Sequence, residues 1–344
     1  MKRTILSMAA VICCISGVYA QTDVIATLNH GSSITTFFGE EALSEAYEAA
    51  AEGDVITLSP GVFHSVNIEK AITVRGAGMM PLESNGYVAT HLSGGFNINV
   101  PESSSSSILT IEGVLALDAI SIYGSDLAPL KFIKSRFEGG VYGYGVFLNA
   151  AYCVFTSYLK AVFNSNGVFK STTFNCMNCI IETAGSDGLA SASSKVAKIQ
   201  ATNCVLEDFK LHYSTLSNCL ILSSTGSSLD NTCSVHNCYG LYLSGSSNLF
   251  EYINDKSNKM LEGTDIASIF KTLTNWSSGS FLRTETFELT DEAAATYLGD
   301  DGKQVGIYGG PAPFDPVPTN PQVKKFVVDS STESGKLKVK INVE

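Results

Sequence analysis

Charge is scarce in this 344-residue chain, and positive charge scarcest. Charged side chains make up 16 %, with 22 Lys and Arg against 33 Asp and Glu. After Arg3, the only arginines before Arg283 are Arg75 and Arg136. Nucleic-acid recognition draws on a basic face, so this composition excludes that partner. Membrane-length apolar runs are missing beyond the first twenty residues, which excludes a helical transmembrane protein. Crossover helices are missing too. From Ile108 to Leu243 short apolar runs follow one another, such as Ile120 to Tyr123, Val154-Phe155 and Ile180-Ile181, with no amphipathic helix between them. That excludes a βαβ architecture and leaves a solenoid or an antiparallel sandwich.

What is present begins with an export signal. Lys2 and Arg3 precede an apolar stretch from Ile5 to Val18, and Val18-Tyr19-Ala20 ends on a small residue before Gln21. This pattern predicts a cleaved leader over 1–20 and an exported chain, extracellular, periplasmic or held at the outer cell surface. Losing Lys2 and Arg3 leaves 20 basic residues against 33 acidic and moves the formal charge from −11 to −13. Seven cysteines remain, all between Cys153 and Cys238. The number is odd, so at least one thiol stays free in a monomer.

One early helix is expected over Glu40–Glu52. Leu43, Ala46, Tyr47 and Ala50 share a face, Glu40 and Glu41 suit its first turn, and Gly53 stops it. Short strands follow: Gly53-Asp54-Val55-Ile56-Thr57-Leu58, a Pro60-Gly61 turn, then Ile68 to Gly76. Helix, strand and turn in this order resemble the opening of pectin-lyase-like β-helix proteins. The resemblance implies a helix that plugs the N-terminal end of a solenoid, and it covers about 40 residues. It speaks for a fold more than for an activity.

A repeated dipeptide supports stacked coils. Asn178-Cys179, Asn203-Cys204 and Asn218-Cys219 each precede two aliphatic residues, and Asn237-Cys238 is a fourth copy. With Cys153 as a degenerate earlier copy, the intervals are 26, 25, 15 and 19 residues. Such a bounded but irregular period suits coils whose loops vary in length. Stacked coils would form ladders, with Asn amides hydrogen-bonding one another along the axis and Cys filling the interior. Near the C-terminus, Asp291 to Ala295 leads through an Asp301-Gly302 turn to Val305-Gly306-Ile307-Tyr308-Gly309-Gly310, which resembles the closing strand of bacterial β-helix repeat proteins. The expected architecture is all-β. A right-handed parallel β-helix with an N-terminal capping helix occupies 21–310, its coils running from about 34. A Pro-rich linker covers 311–323, and a β-hairpin tail covers 324–344.

Candidate sites are sparse. Cleaving a polysaccharide needs carboxylates converging on one bond. Asp118, Asp126, Glu138, Glu182, Asp187, Glu207, Asp208 and Asp230 are scattered, and only Glu207-Asp208 are adjacent. Cys176 and Cys179 form a C-x-x-C, and Cys233, His236 and Cys238 lie close in sequence. In a strand, however, residues three apart face opposite ways, so no metal and no cofactor is expected. Tyr142, Tyr144, Phe147, Tyr152, Tyr158, Phe163 and Phe169 make an aromatic-rich stretch. Interior stacking is one role for them. Of this set, Tyr142, Tyr144, Tyr152 and Tyr158 are the candidate sugar contacts. The function expected is a non-catalytic exported or cell-surface solenoid that contacts a polysaccharide or a surface protein. The alternative is a divergent polysaccharide lyase or glycoside hydrolase of the pectin-lyase-like superfamily.

Overall fold

The computed structural model describes residues 24–80, 89–100, 107–162, 170–186, 197–223, 228–242, 248–261, 264–273, 286–319, 323–328 and 339–343. The expected leader, Phe163, Phe169 and Asp187 lie outside the described residues, as do most of the Ser-rich loop at 103–107 and the turn of the tail. Among the described residues no helix is long and apolar enough to cross a membrane.

The chain forms a parallel β-helix of about eight turns, with three sheet faces. Face A stacks Val55–Leu58, Thr73–Arg75, Leu109–Glu112, residues 128–133 and 146–151, and then Thr172–Met177, Ala197–Thr202, Thr215–Ser217 and Ser234–His236. Face B runs from Gly61–His64 through Val114–Ala116 and Arg136–Phe137 to Tyr239–Tyr242 and Lys259–Met260. Face C carries Phe96–Asn99, residues 120–123, 141–144, 158–161 and 183–186, then 208–211 and Ser228–Leu229. Alternate residues of each strand point inward. Phe132, Phe137 and Phe155 stack inside at centroid distances of 4.6 and 5.3 Å. Burial of each such ring contributes roughly 1.5–3 kcal/mol.

The corner from face A to face B explains the Asn-Cys repeat. One residue there takes a left-handed backbone, with φ between 47 and 65° at Gly113, Lys134, Tyr152, Asn178, Asn203, Asn218 and Asn237. Asn tolerates this conformation better than most residues. The bend turns the next amide N–H away from the strand ladder, so it needs another acceptor. A side chain of the following coil supplies one. Cys153 N donates to Cys179 Sγ at 3.4 Å, Cys179 N to Cys204 Sγ at 3.4 Å, and Cys204 N to Cys219 Sγ at 3.5 Å. Two coils earlier the acceptor is a hydroxyl, with Val114 N on Ser135 Oγ at 3.3 Å. Asn258 closes the column by accepting from Cys238 N at 2.9 Å.

The N-terminal end is closed as the helix pattern predicts. Helix α1 spans Ala42–Ala49, shorter than the expected 40–52, and buries Ala42, Leu43 and Ala46. Leu43 and Tyr47 close over Val66, Ile68, Val74, Leu92, Phe96 and Ile111. The Lys70 ammonium ends the helix early, donating to the carbonyls of Tyr47 and Ala50 at 2.7 Å each. Positive charge at a helix C-terminus contributes about 0.3–1 kcal/mol. Glu40 and Glu41 turn instead to His64. Beyond α1, Ile25–His30 pairs antiparallel with both Ser33–Phe38 and Val55–Leu58.

The C-terminal third departs from the expected closing strand. The coils end at Lys259–Met260. The chain then doubles back outside the stack through α2 (Ile266–Ile269) and α3 (Asp291–Thr296). Residues 305–310 are irregular rather than a strand because they run along the axis, not across it. This cover explains the paired aliphatics. Ile181, Leu206 and Ile221 point into the solenoid. Their neighbours Ile180, Val205 and Leu220 point outward and form a second core with Ile269, Phe270, Phe287, Leu289, Val305 and Ile307.

The residues expected to be a linker continue this strap. Gly299 and Asp300 meet Asn218, Gly310 meets Asn203, and Ile307 and Gly309 accept from Asn178. Asp315 and Val317 then bind Lys134, and Thr319 binds Glu112. The tail is an antiparallel pair, Val323–Val328 with Val339–Val343.

Candidate functional site

The Asn side chains of the repeat do not bond to one another, contrary to the expected ladder. They hold the strap. Asn178 Nδ2 donates to Ile307 O at 2.7 Å and Gly309 O at 3.0 Å, and Asn218 Nδ2 donates to Asp300 Oδ1 at 2.7 Å. Asn237 lies beyond this run, and its backbone N donates to Ser257 Oγ at 2.9 Å. The amide-to-amide bond forms elsewhere, on the outer side of face A, where Asn175 Nδ2 donates to Asn149 Oδ1 at 2.9 Å.

The thiols of Cys153, Cys176, Cys179, Cys204, Cys219 and Cys238 are buried, and no cysteine of the chain's described part is in a disulfide. Burial holds Cys153, Cys204 and Cys238 well above the usual thiol range. Cys176 and Cys179 do not face opposite ways as a straight strand would require, because the bend at Asn178 brings both inward. Among the described residues no group of three or more His, Cys, Asp or Glu side chains could hold a metal. His236 is bound through Nδ1 to Asp255 at 2.6 Å and lies 3.3 Å from Ser257 Oγ through the same nitrogen. A relay needs the hydroxyl on the other ring nitrogen. The His236 and Ser257 hydrogen bonds hold Asp255 at about 2.

Three of the candidate acids serve the scaffold, and the side chains of Asp126 and Asp208 lie outside what the structure describes. Asp118 accepts from Gly94 N at 2.9 Å, Glu138 pairs with Arg136 at 3.1 Å, and Asp230 pairs with His212 at 2.5 Å. Register aligns Glu182 and Glu207 on successive coils of face B. Glu207 is only 1 % exposed, out of reach of a polymer chain.

The tyrosines divide. Tyr152 sits on the strap-side corner, with Lys134 Nζ 6.0 Å from its ring centre. Tyr142, Tyr144 and Tyr158 share the outer side of face C with Tyr123. Tyr123 is 40 % exposed and Tyr158 47 %. Tyr144 is buried, its ring centre 6.4 Å from that of Tyr123. Tyr142 is half-buried, its ring lying against Gly140, where a β-carbon would come within 2.6 Å. Lys160 follows Tyr142 on the next coil and lies 5.2 Å from the Tyr158 ring centre. Burial lowers its pKa. Lys170 lies 5.6 Å from the Tyr144 ring centre. Lys210 continues the Lys160 column two coils on. Sequence reasoning missed Tyr123, although the alternation Ile120-Ser121-Ile122-Tyr123 placed it with the outward residues.

No protein-family model matches the chain, and no curated protein or solved structure matches it.

Proposed function

We propose that the chain is an exported, non-catalytic β-helix protein of the pectin-lyase-like kind that holds an anionic polysaccharide on face C. The observation that carries this reading is the grouping of Tyr123, Tyr142 and Tyr158 with Lys160, Lys170 and Lys210 on one sheet surface. Tyrosine rings stack on the C–H faces of sugars, and ammonium groups beside them favour carboxylated or sulfated units. These lysines gather on one face of a chain of net charge −11, although Asp208 shares the Tyr158 column two coils on. The lyase or hydrolase alternative has less support, since Asp118, Glu138 and Asp230 make scaffold contacts and Glu207 is buried. A cell-surface protein is the other partner for such a face.

Calorimetric titration with alginate, polygalacturonate and hyaluronan, against neutral glucans, tests the proposal. Binding is expected to the anionic chains and to weaken with salt. Tyr158→Ala and Tyr123→Ala are each expected to weaken it up to about tenfold, the worth of one stacked ring. Unchanged affinity in both variants, or release of new reducing or unsaturated ends by the wild type, would sink the proposal.

A further inference from the structure

The N-terminal end of face A is an open edge. Ser33–Phe38 is its last strand and, among the described residues, pairs with Ile25–His30 alone. Exposed edges are normally blunted by a charge, a proline or a bulge, and Ser-Ile-Thr-Thr-Phe-Phe has none of these. Ile34 and Phe38 are 70 and 62 % exposed. Their cross-strand partners are Asn29 and Ile25, which alternate with buried Leu28 and Ala26, so both point away from the core. Exposed carboxylates of Glu40, Glu41, Glu45 and Glu48 lie on the chain that follows this strand into α1. Two such ends would set acid against acid. The geometry therefore favours an occupant that is basic and brings a strand.

The chain contains one. The tail strands Val323–Val328 and Val339–Val343 pair only with each other among the described residues. A lone two-stranded ribbon is marginal in water. The tail carries Lys324, Lys325, Lys336, Lys338 and Lys340 against Asp329, Glu333 and Glu344. It cannot reach the edge of its own molecule. Thr319 is fixed to Glu112. From there the register steps through Arg75, Thr57 and Thr27 to Thr36. With one more step for an added strand, the axial distance is about 24 Å at ~4.8 Å per strand. Four residues from Thr319 to Val323 span at most about 14 Å.

We propose that the C-terminal hairpin of one molecule adds to the Ser33–Phe38 edge of a second copy, joining copies head to tail. Such a contact does not close on itself, so it makes open chains.

Sedimentation of the chain from Gln21 to Glu344 tests this with two variants. Ile34→Lys/Phe38→Lys disables the edge, and deletion of 320–344 disables the tail. Unfolding curves matching wild type show that each is folded. If the edge variant does not fold, Glu→Lys at Glu40, Glu41, Glu45 and Glu48 replaces it, so that the acidic edge is lost while the tail is kept. Wild type is expected to grow in mass with concentration. Each variant alone stays monomeric, and an equal mixture gives a species of twice the mass and no larger. Self-association of the tail-deleted chain would mean edge-to-edge pairing, and self-association of the edge variant would mean tail-to-tail pairing. Either result, a monomeric wild type, or no dimer in the mixture overturns the proposal.

Discussion

Replacing Cys204 tests why the corner residue is cysteine. Its sulfur accepts the Cys179 amide at 3.4 Å and lies 3.4 Å from the carbonyls of both Thr202 and Cys176. Cys204→Ala removes one buried heavy atom, worth about 1 kcal/mol. It also strips a buried N–H of its acceptor, at about 1–3 kcal/mol. The loss is therefore about 2–4 kcal/mol. Cys204→Ser keeps an acceptor in place. Ser135 already fills the equivalent slot, accepting from Val114 N and donating to Ile133 O at 2.9 Å. Its cost is expected to be about 1 kcal/mol, from the smaller atom and imperfect contacts.

A corner that needed only apolar filling would give the opposite order, since a hydroxyl in an apolar interior is worse than a methyl group. Urea unfolding of the two variants measures the order, and hydrogen exchange at the Cys179 amide localises it. Faster exchange there in Cys204→Ala but not in Cys204→Ser is expected. Serine as damaging as alanine, or an unaffected Cys179 amide, would refute the acceptor argument.

Asn178 combines a left-handed backbone with two hydrogen bonds to the strap. Asn178→Gly is expected to lose only the bonds, while Asn178→Ala loses a further ~1–2 kcal/mol to backbone strain. Thermal unfolding orders the two, and protease cleavage at 311–319 is expected to quicken in both. The His64 pKa is raised by the Glu41 hydrogen bond and charge. That contribution to stability is fully present below the ordinary imidazole value of 6.5 and is lost as pH rises through the folded value. Glu41→Gln is therefore expected to flatten the fall in stability above pH 6.5 in a melting series. Asp255 has the opposite sign. Its contribution is present above 3.8 and lost as pH falls towards about 2, so His236→Gln is expected to shrink the acid-side loss.

The coils were legible because their period is written in residues that the corner requires. Asn marks the bend, Cys the acceptor, and two aliphatics the double-sided burial of face B. Alternation alone would mark only one of those aliphatics as core. The plug helix was legible from its apolar face, but its end was set by Lys70, twenty-one residues after Ala49, which no local signal reveals. The strap was not legible. Val305 to Gly310 has strand-like composition, and only Gly306 and Gly310, in left-handed conformations against Leu220 and Asn203, mark a segment pressed against another surface. The tyrosine patch was partly legible. Spacing cannot show that Tyr142 and Tyr158 share the outer side of face C on adjacent coils while Tyr152 turns to another corner.

The identity of the corner residue follows what lies over it, not the bend alone. Gly113, Lys134 and Tyr152 adopt the same backbone as the asparagines. Lys134 meets the Asp315 carboxylate and the Val317 carbonyl, where a long cation fits. Asn178 meets two carbonyls at short range, and Asn218 meets both a carboxylate and an amide, the Asp300 N–H at 3.2 Å. Only an amide side chain offers donor and acceptor within that reach while tolerating the left-handed conformation. The repeat therefore encodes two structures at once: the coil, through the bend and the thiol acceptor, and the strap that seals the outer side of face B. Face B is thereby committed to that second core, and the outward tyrosines and lysines of face C are the surface to which we assign the proposed ligand.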